Sequence, residues 1–184
     1  MSRSGYITLI ILLLVVTFAV IFYLNVLKQN DREALQESPA ANSLKITGEG
    51  SYTDIYGNKV SLDQYVGKNL LALAWASWCP SCGQQLQLLA RAAGNNQDIK
   101  VLAFNRAEPL STAKSYLNFY GLNDTVELIM DPSDHFFNSV NGYAMPEVII
   151  FNTKGEIVHH ERGEISEGEL NLLLRNLNIS TSQN

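Results

Sequence analysis

Two cysteines, three histidines and no surplus of positive charge set the first limits on this 184-residue sequence. Thirteen lysines and arginines against eighteen aspartates and glutamates give a net charge of −5, so the basic footprint of a nucleic-acid binder is missing. A structural zinc site takes four ligands, and the lone Cys79-x-x-Cys82 pair has no second pair to complete it. His135, His159 and His160 show no metal-ligand spacing, and the adjacent His159 and His160 fall on opposite faces of an expected strand. No metal and no cofactor are therefore expected. Internal repeats and low-complexity tracts are also lacking. The length suits one domain with a real core plus something extra, and is short for two ordinary domains.

Two charge-free stretches stand out against this background. The first, Tyr6 to Leu27, holds 22 residues. As a helix it spans roughly 33 Å, enough to cross a hydrocarbon core of about 30 Å. A cleaved signal peptide is the alternative, but its apolar region runs to about 7–15 residues and ends in small residues. This run is longer, ends in Asn25-Val26-Leu27-Lys28, and has no cysteine after it to accept a lipid. The expected organisation is a short tail at 1–5, a transmembrane anchor at 6–27, a polar tether at 28–43, a folded domain at 44–177 and a tail at 178–184. Arg3 before the span and Lys28 and Arg32 after it leave the orientation nearly undecided by charge.

Within 44–177 strand and helix signals alternate. Tyr52 to Leu62, with Gly57-Asn58 at its centre, reads as an N-terminal hairpin. Leu70 to Ala76 is a continuous apolar run of buried-strand length. Leu86, Leu89, Ala90 and Ala93 share one helical face, and Gly94 stops that helix. Ile99 to Asn105 reads as a second buried strand. Leu110, Ala113, Leu117 and Tyr120 form the next stripe, ended by Gly121. A short strand at Val126 to Asp131, a hairpin of Glu147–Phe151 with Glu156–Glu161, and a closing helix follow. That helix opens on a capping box from Ser166 to Glu169. This order makes an α/β domain with a central mixed sheet flanked by helices.

The second charge-free stretch, from Leu70 to the residue before Arg91, carries both cysteines out of a buried strand into a helix. Cys79 is expected at the helix start, with Pro80 suited to the first helical position. First-turn N–H groups and the helix dipole favour thiolate over thiol there, which makes Cys79 the natural nucleophile. Cys82, one turn deeper, is placed to resolve a mixed disulfide. A purely structural disulfide closing so short a loop would contribute little entropy. C-x-x-C at a strand-to-helix junction is a redox signal.

The segments "WASWCPSC" and "NGYAMPEVIIFNTKGEIVHHERGEIS" together resemble the thioredoxin superfamily, and within it the membrane-tethered TlpA/ResA/CcmG (DsbE)-like thiol–disulfide oxidoreductases. The resemblance covers roughly residues 44–177. It implies a thioredoxin-like fold, a redox-active disulfide between Cys79 and Cys82, and Met145-Pro146 as a cis peptide whose backbone pairs with substrate. Trp78, Pro80, Gln85 and Glu147 would support the site, while Trp75 belongs to the core. Related proteins place a carboxylate at the positions of Leu73 or Gln85, so either Glu147 takes over as proton partner, or proton transfer uses water, or the protein is slower or tuned differently. The implied partners are client proteins carrying disulfides or C-x-x-C thiols, with apocytochrome c among them, and a CcdA- or DsbD-like membrane electron donor. A lone anchored redox pair is useful where disulfides form, which puts the domain on the extracytoplasmic, periplasmic side of the cell (inner) membrane. Two alternatives stay open: an oxidase or isomerase using the same residues, and a metal- or haem-handling binding module without turnover.

Overall fold

The computed structural model describes residues 52–94 and 96–181, with side chains to 177, together with residues 13, 16–18 and 20–23. The latter eight residues are helical and exposed. The rest of the expected anchor, the tail at 1–5 and the tether at 28–43 lie outside the described residues. Among the described residues no helix is long and apolar enough to cross a membrane. The chain forms two compact units, Met1–Asn42 and Ser43–Asn184. The second contains the sheet and both cysteines.

Five strands build one sheet: β1 (Asn69–Trp75), β2 (Ile99–Arg106), β3 (Glu127–Asp131), β4 (Glu147–Phe151) and β5 (Ile157–Arg162), in spatial order β3-β2-β1-β4-β5. β1, β2 and β3 run parallel, whereas β4 is antiparallel to both β1 and β5. The central position of β1 explains its composition: all seven of its residues are buried, so no polar alternation survives.

Helices α1 (Cys82–Ala93) and α2 (Leu110–Phe119) connect the three parallel strands. Two right-handed crossovers moving in one direction along a sheet put both helices on the same face. Accordingly, Leu86 and Leu89 of α1 and Ala113 and Leu117 of α2 share a core cluster with Leu71, Leu73, Trp75 and both cysteines. The last helix, α4 (Glu167–Thr181), adds Leu170, Leu174 and Leu177 to that cluster. It continues past the expected domain end at 177. Its Glu169 N–H donates to Ser166 Oγ at 3.3 Å, one half of the expected capping box. Leu71, Leu73, Leu86 and Leu89 are fully buried, and truncating any one to alanine costs about 2–5 kcal/mol.

The opposite face packs Leu70, Ala72, Ala74, Phe104 and Ile149 beneath Tyr52, Leu62 and the short helix α3 (His135–Ser139). In the region of the expected N-terminal hairpin the pairing is an isolated Thr53–Lys59 bridge flanked by bonds from Asp54 N–H to the Asn58 carbonyl and from Val60 N–H to the Tyr52 carbonyl, with Asp54 Oδ1 accepting the N–H groups of Tyr56 and Asn58 in the turn. On its other edge Thr53 exchanges both backbone bonds with Met130 of β3. α3 has no readable periodicity because it is one turn long. It is set by the buried Asp131, whose carboxylate accepts the Phe136 N–H at 2.7 Å.

Helix α1 begins at Cys82, later than the expected start at Cys79 and Pro80. The Ser81 carbonyl accepts the first i→i−4 bond, from Gln85 N–H at 3.0 Å, so Ser81 is the N-cap and Cys79-Pro80 form the turn before it. Gly83, the next residue, has a packing reason. A Cβ there would lie 2.2 Å from the Tyr120 ring, so only glycine lets the C-terminus of α2 close over the start of α1.

Candidate active site

β1 ends at Trp75, and the chain turns through Ala76, Ser77 and Trp78 before reaching Cys79, whose N–H donates to the Ala76 carbonyl at 3.1 Å. Cys79 and Cys82 are disulfide-bonded, with Sγ atoms 1.98 Å and Cα atoms 5.5 Å apart. Both residues are buried and belong to the core cluster, while Trp78 beside them is 64% exposed. Pro80 is exposed as well. Trp75 is fully buried and stacks on Tyr116 with ring centroids 5.0 Å apart. The Tyr116 hydroxyl donates to the Cys79 carbonyl at 3.3 Å. Burial first, and the neighbouring Tyr120 second, push that phenol up to about 12, so it remains a donor throughout the neutral range.

The turn before Cys79 is held by a group that sequence reasoning missed. Glu108 accepts the Ser77 N–H at 2.8 Å and the Ser77 hydroxyl at 2.6 Å. Its carboxylate also accepts Asn105 Nδ2 at 2.8 Å, and Asn105 is fully buried opposite Trp75 in the β1–β2 register. The signal lay in topology: Asn105 and Glu108 stand at the C-terminal end of a parallel strand next to β1, where open α/β sheets gather their functional groups.

The second wall of the site comes from the segment entering β4. The Met145-Pro146 peptide is cis, and Pro146 is buried with its carbonyl accepting Gly163 N–H at 2.8 Å. β4 begins at Glu147 opposite Ala74, so the residues just before it lie at the C-terminal end of β1, the end that carries the cysteines. Met145 packs against the core cluster that contains both sulfurs. The structure therefore brings Trp78, Cys79, Pro80, Cys82, Met145 and Pro146 to one end of the sheet.

Gln85 and Glu147 are both engaged by backbone groups. Gln85 is buried, and its amide is engaged at both ends by the backbone of Ile165: Nε2 donates to the carbonyl at 3.3 Å, and Oε1 accepts the N–H at 3.1 Å. It fastens α1 to the loop before α4. Glu147 is fully buried, but the alternation of β4 sends Val148 to the cysteine face and Glu147 to the other face, with Ala74 and Ile149. Its Oε1 accepts the N–H groups of Tyr143 at 2.8 Å and Ala144 at 3.0 Å, and its Oε2 meets His160 Nε2 at 2.5 Å. Glu147, one of the possibilities for a carboxylate near Cys82, turns away from the cysteine face and braces the loop before the cis peptide. Leu73, at the other such position, is fully buried in the apolar core.

The histidine pair splits between the two faces as strand alternation requires. His159 Nε2 lies 3.6 Å from Glu161 and 4.0 Å from Glu169. One donor atom of each of the three lies within 4.8 Å of the others, a grouping that sequence spacing hid because Glu169 arrives from α4. Glu169 is exposed and Glu161 a third exposed, the setting of a surface ion-pair cluster.

A dithiol/disulfide pair at this junction, with a cis X-Pro peptide at the same end of the sheet, places the fold in the thioredoxin-like class. Comparison with known proteins narrows the class: residues 36–174 match the Redoxin family, and the chain belongs to it. Its homologues are thiol–disulfide oxidoreductases of the ResA and DsbE type. It is 26% identical over 119 residues to the thiol-disulfide oxidoreductase ResA of Halalkalibacterium halodurans, covering 62% of this chain and 65% of that one. The thiol:disulfide interchange protein DsbE of Allochromatium vinosum is 35% identical over 103 residues, 56% of each chain. ResA of Bacillus thuringiensis aligns over 179 residues at 22% identity, 96% of this chain and 99% of its own. Among solved structures, MTB dsbF superposes with a TM-score of 0.63 at 18% identity, over 71% of this chain and 96% of that one. A secreted Mycobacterium tuberculosis disulfide oxidoreductase homologous to E. coli DsbE gives a TM-score of 0.59 at 19% identity, over 68% and 93%.

Proposed function

We propose that the protein is a membrane-tethered thiol–disulfide reductase whose domain works on the extracytoplasmic, periplasmic side of the cell membrane. The observation that carries the reading is the Cys79–Cys82 disulfide at the strand–helix junction, at the same end of the sheet as the Met145-Pro146 peptide. In the reduced form, the Cys79 thiolate attacks one sulfur of a client disulfide, forming a mixed disulfide and releasing the other client sulfur as a thiolate that takes up a proton. Cys82, deprotonated, then attacks Cys79 Sγ. The client leaves as a dithiol and the protein is left with the Cys79–Cys82 disulfide, two electrons having passed to the client. A membrane dithiol donor of the CcdA or DsbD kind restores the pair. Trp78 offers an exposed apolar face next to the attacking sulfur, and the backbone at Met145-Pro146 receives the client chain. The resemblance to the CcmG (DsbE)-like branch suggests apocytochrome c, with its C-x-x-C thiols, as a client. The charge-free run at 6–27 supports the tether.

A reduction potential titrated against dithiothreitol and glutathione tests the direction. A value near that of thioredoxin, about −270 mV, is expected, and one near about −120 mV makes the protein an oxidant instead. Cys79→Ser is expected to abolish reduction of a model disulfide; turnover at the wild-type rate overturns the enzymatic reading.

A further inference from the structure

We propose that His160 is a positioning residue, acting through Glu147 on the loop that receives the client. The proposal rests on the reading of Met145-Pro146 as the docking segment and adds what sets that segment's shape. His160 stands on β5 opposite Ile149, diagonal to Glu147 and on the same face of the sheet. Diagonal neighbours of an antiparallel pair are within reach of long side chains. Its Nε2 meets Glu147 Oε2 at 2.5 Å, and its side chain is only 10% exposed.

The two carboxylate oxygens divide the work. Oε2 is held by His160, whereas Oε1 takes the main-chain N–H groups of Tyr143 and Ala144, in the loop that leads into the cis peptide. Glu147 has no solvent exposure, so without a donor on Oε2 its charge has nothing to replace hydration on that side. The carboxylate then gains by turning toward water, and turning removes Oε1 from both loop amides. Arg162, the direct register partner of Glu147, has its guanidinium over the Tyr143 ring at 5.2 Å and steadies the outer side of the same loop. In this contact Nε2 carries the proton and donates it to Oε2.

The test compares full-length wild type with His160→Leu, which keeps bulk without a donor, and His160→Gln, whose Nε2 donates from a similar position. Two probes are used: a disulfide-bonded C-x-x-C peptide, which needs docking, and 5,5′-dithiobis(2-nitrobenzoate), which does not. In His160→Leu the amide hydrogens of Tyr143 and Ala144 are expected to exchange about tenfold faster, the scale of losing a hydrogen bond to a charged group. KM for the peptide is expected to rise about tenfold, while kcat and the rate with the small disulfide stay within about twofold. His160→Gln is expected to restore both exchange and KM. Unchanged amide exchange in His160→Leu overturns the brace, whatever the kinetics. Failure of glutamine to restore either quantity overturns it too, reducing the pair to packing. Faster exchange with unchanged KM overturns the docking role instead, and an equally unchanged KM in Pro146→Ala traces that failure to the reading beneath it.

Discussion

Two loops meet at the disulfide end of the sheet, and each is held by a glutamate. Before Cys79, Glu108 accepts Ser77 through its N–H and its hydroxyl, backed by the neutral amide of Asn105. Before Pro146, Glu147 accepts Tyr143 and Ala144 through their N–H groups, backed by His160. The difference lies in burial. Glu108 is half-buried and can share its charge with water, whereas Glu147 is sealed in and depends on its partner. The nucleophile loop therefore has a forgiving brace and the cis-proline loop an unforgiving one.

Glu147→Ala strikes the sealed brace and is expected to have the largest effect on stability. It leaves two loop N–H groups and a nearly buried His160 without their acceptor, a loss of about 3–5 kcal/mol on the scale of a broken buried pair, read by denaturant unfolding. Equal stability to wild type would erase the contrast between the loops. Glu108→Ala is expected to cost about 1–3 kcal/mol, because water reaches part of the vacated site. Its kinetic signature is expected to be the reverse of the His160→Leu pattern: attack on a small disulfide slows about tenfold as Cys79 loses its fixed approach, while KM for a peptide is unchanged. A shift in KM alone would mean that both braces serve docking.

The smallest effect is expected at Asp54, in the turn bridged to β3. The Asn58 side chain, then the turn N–H groups, hold its carboxyl below the ordinary value of 3.8. A depressed carboxylate contributes stability that is present above its unfolded pKa and lost as pH falls through the folded one. Wild type is therefore expected to exceed Asp54→Ala slightly at neutral pH, and the gap to close in acid. An equal gap in acid and at neutral pH would show that the turn is held by something other than this charge.

The contrast between the loops also explains what the sequence made legible. Strands β1 and β4, the stripes of α1 and α2, and the C-x-x-C turn are written in local patterns: continuous apolar runs, helical spacing and a cysteine pair. Glu147 was marked only by the family resemblance, and neither its bonds to the Tyr143 and Ala144 amides nor its direction was visible. Only the β4 register against Ala74 shows that it turns from the cysteine face. Glu108 is 31 residues from Ser77 in the chain, and nothing local marks it. The start of α1 shifted to Cys82 because a carbonyl at Ser81, not the proline, accepts the first helical bond. Leu73 is buried in the apolar core, and Gln85 is buried with its amide on the Ile165 backbone.

The hydrogen bonds that hold the loop before Pro146 to Glu147 run from main-chain amides to one carboxylate, so they do not depend on which side chains the loop displays. Tyr143 is 78% exposed and its side chain contributes none of those bonds. Substitution at 143 or 144 by any residue but proline changes the surface of the loop while keeping both amide bonds, at the cost of the Arg162 contact when Tyr143 is replaced. In this corner of the molecule the surface can vary while the amide geometry is kept, because that geometry rests on a residue with no solvent exposure.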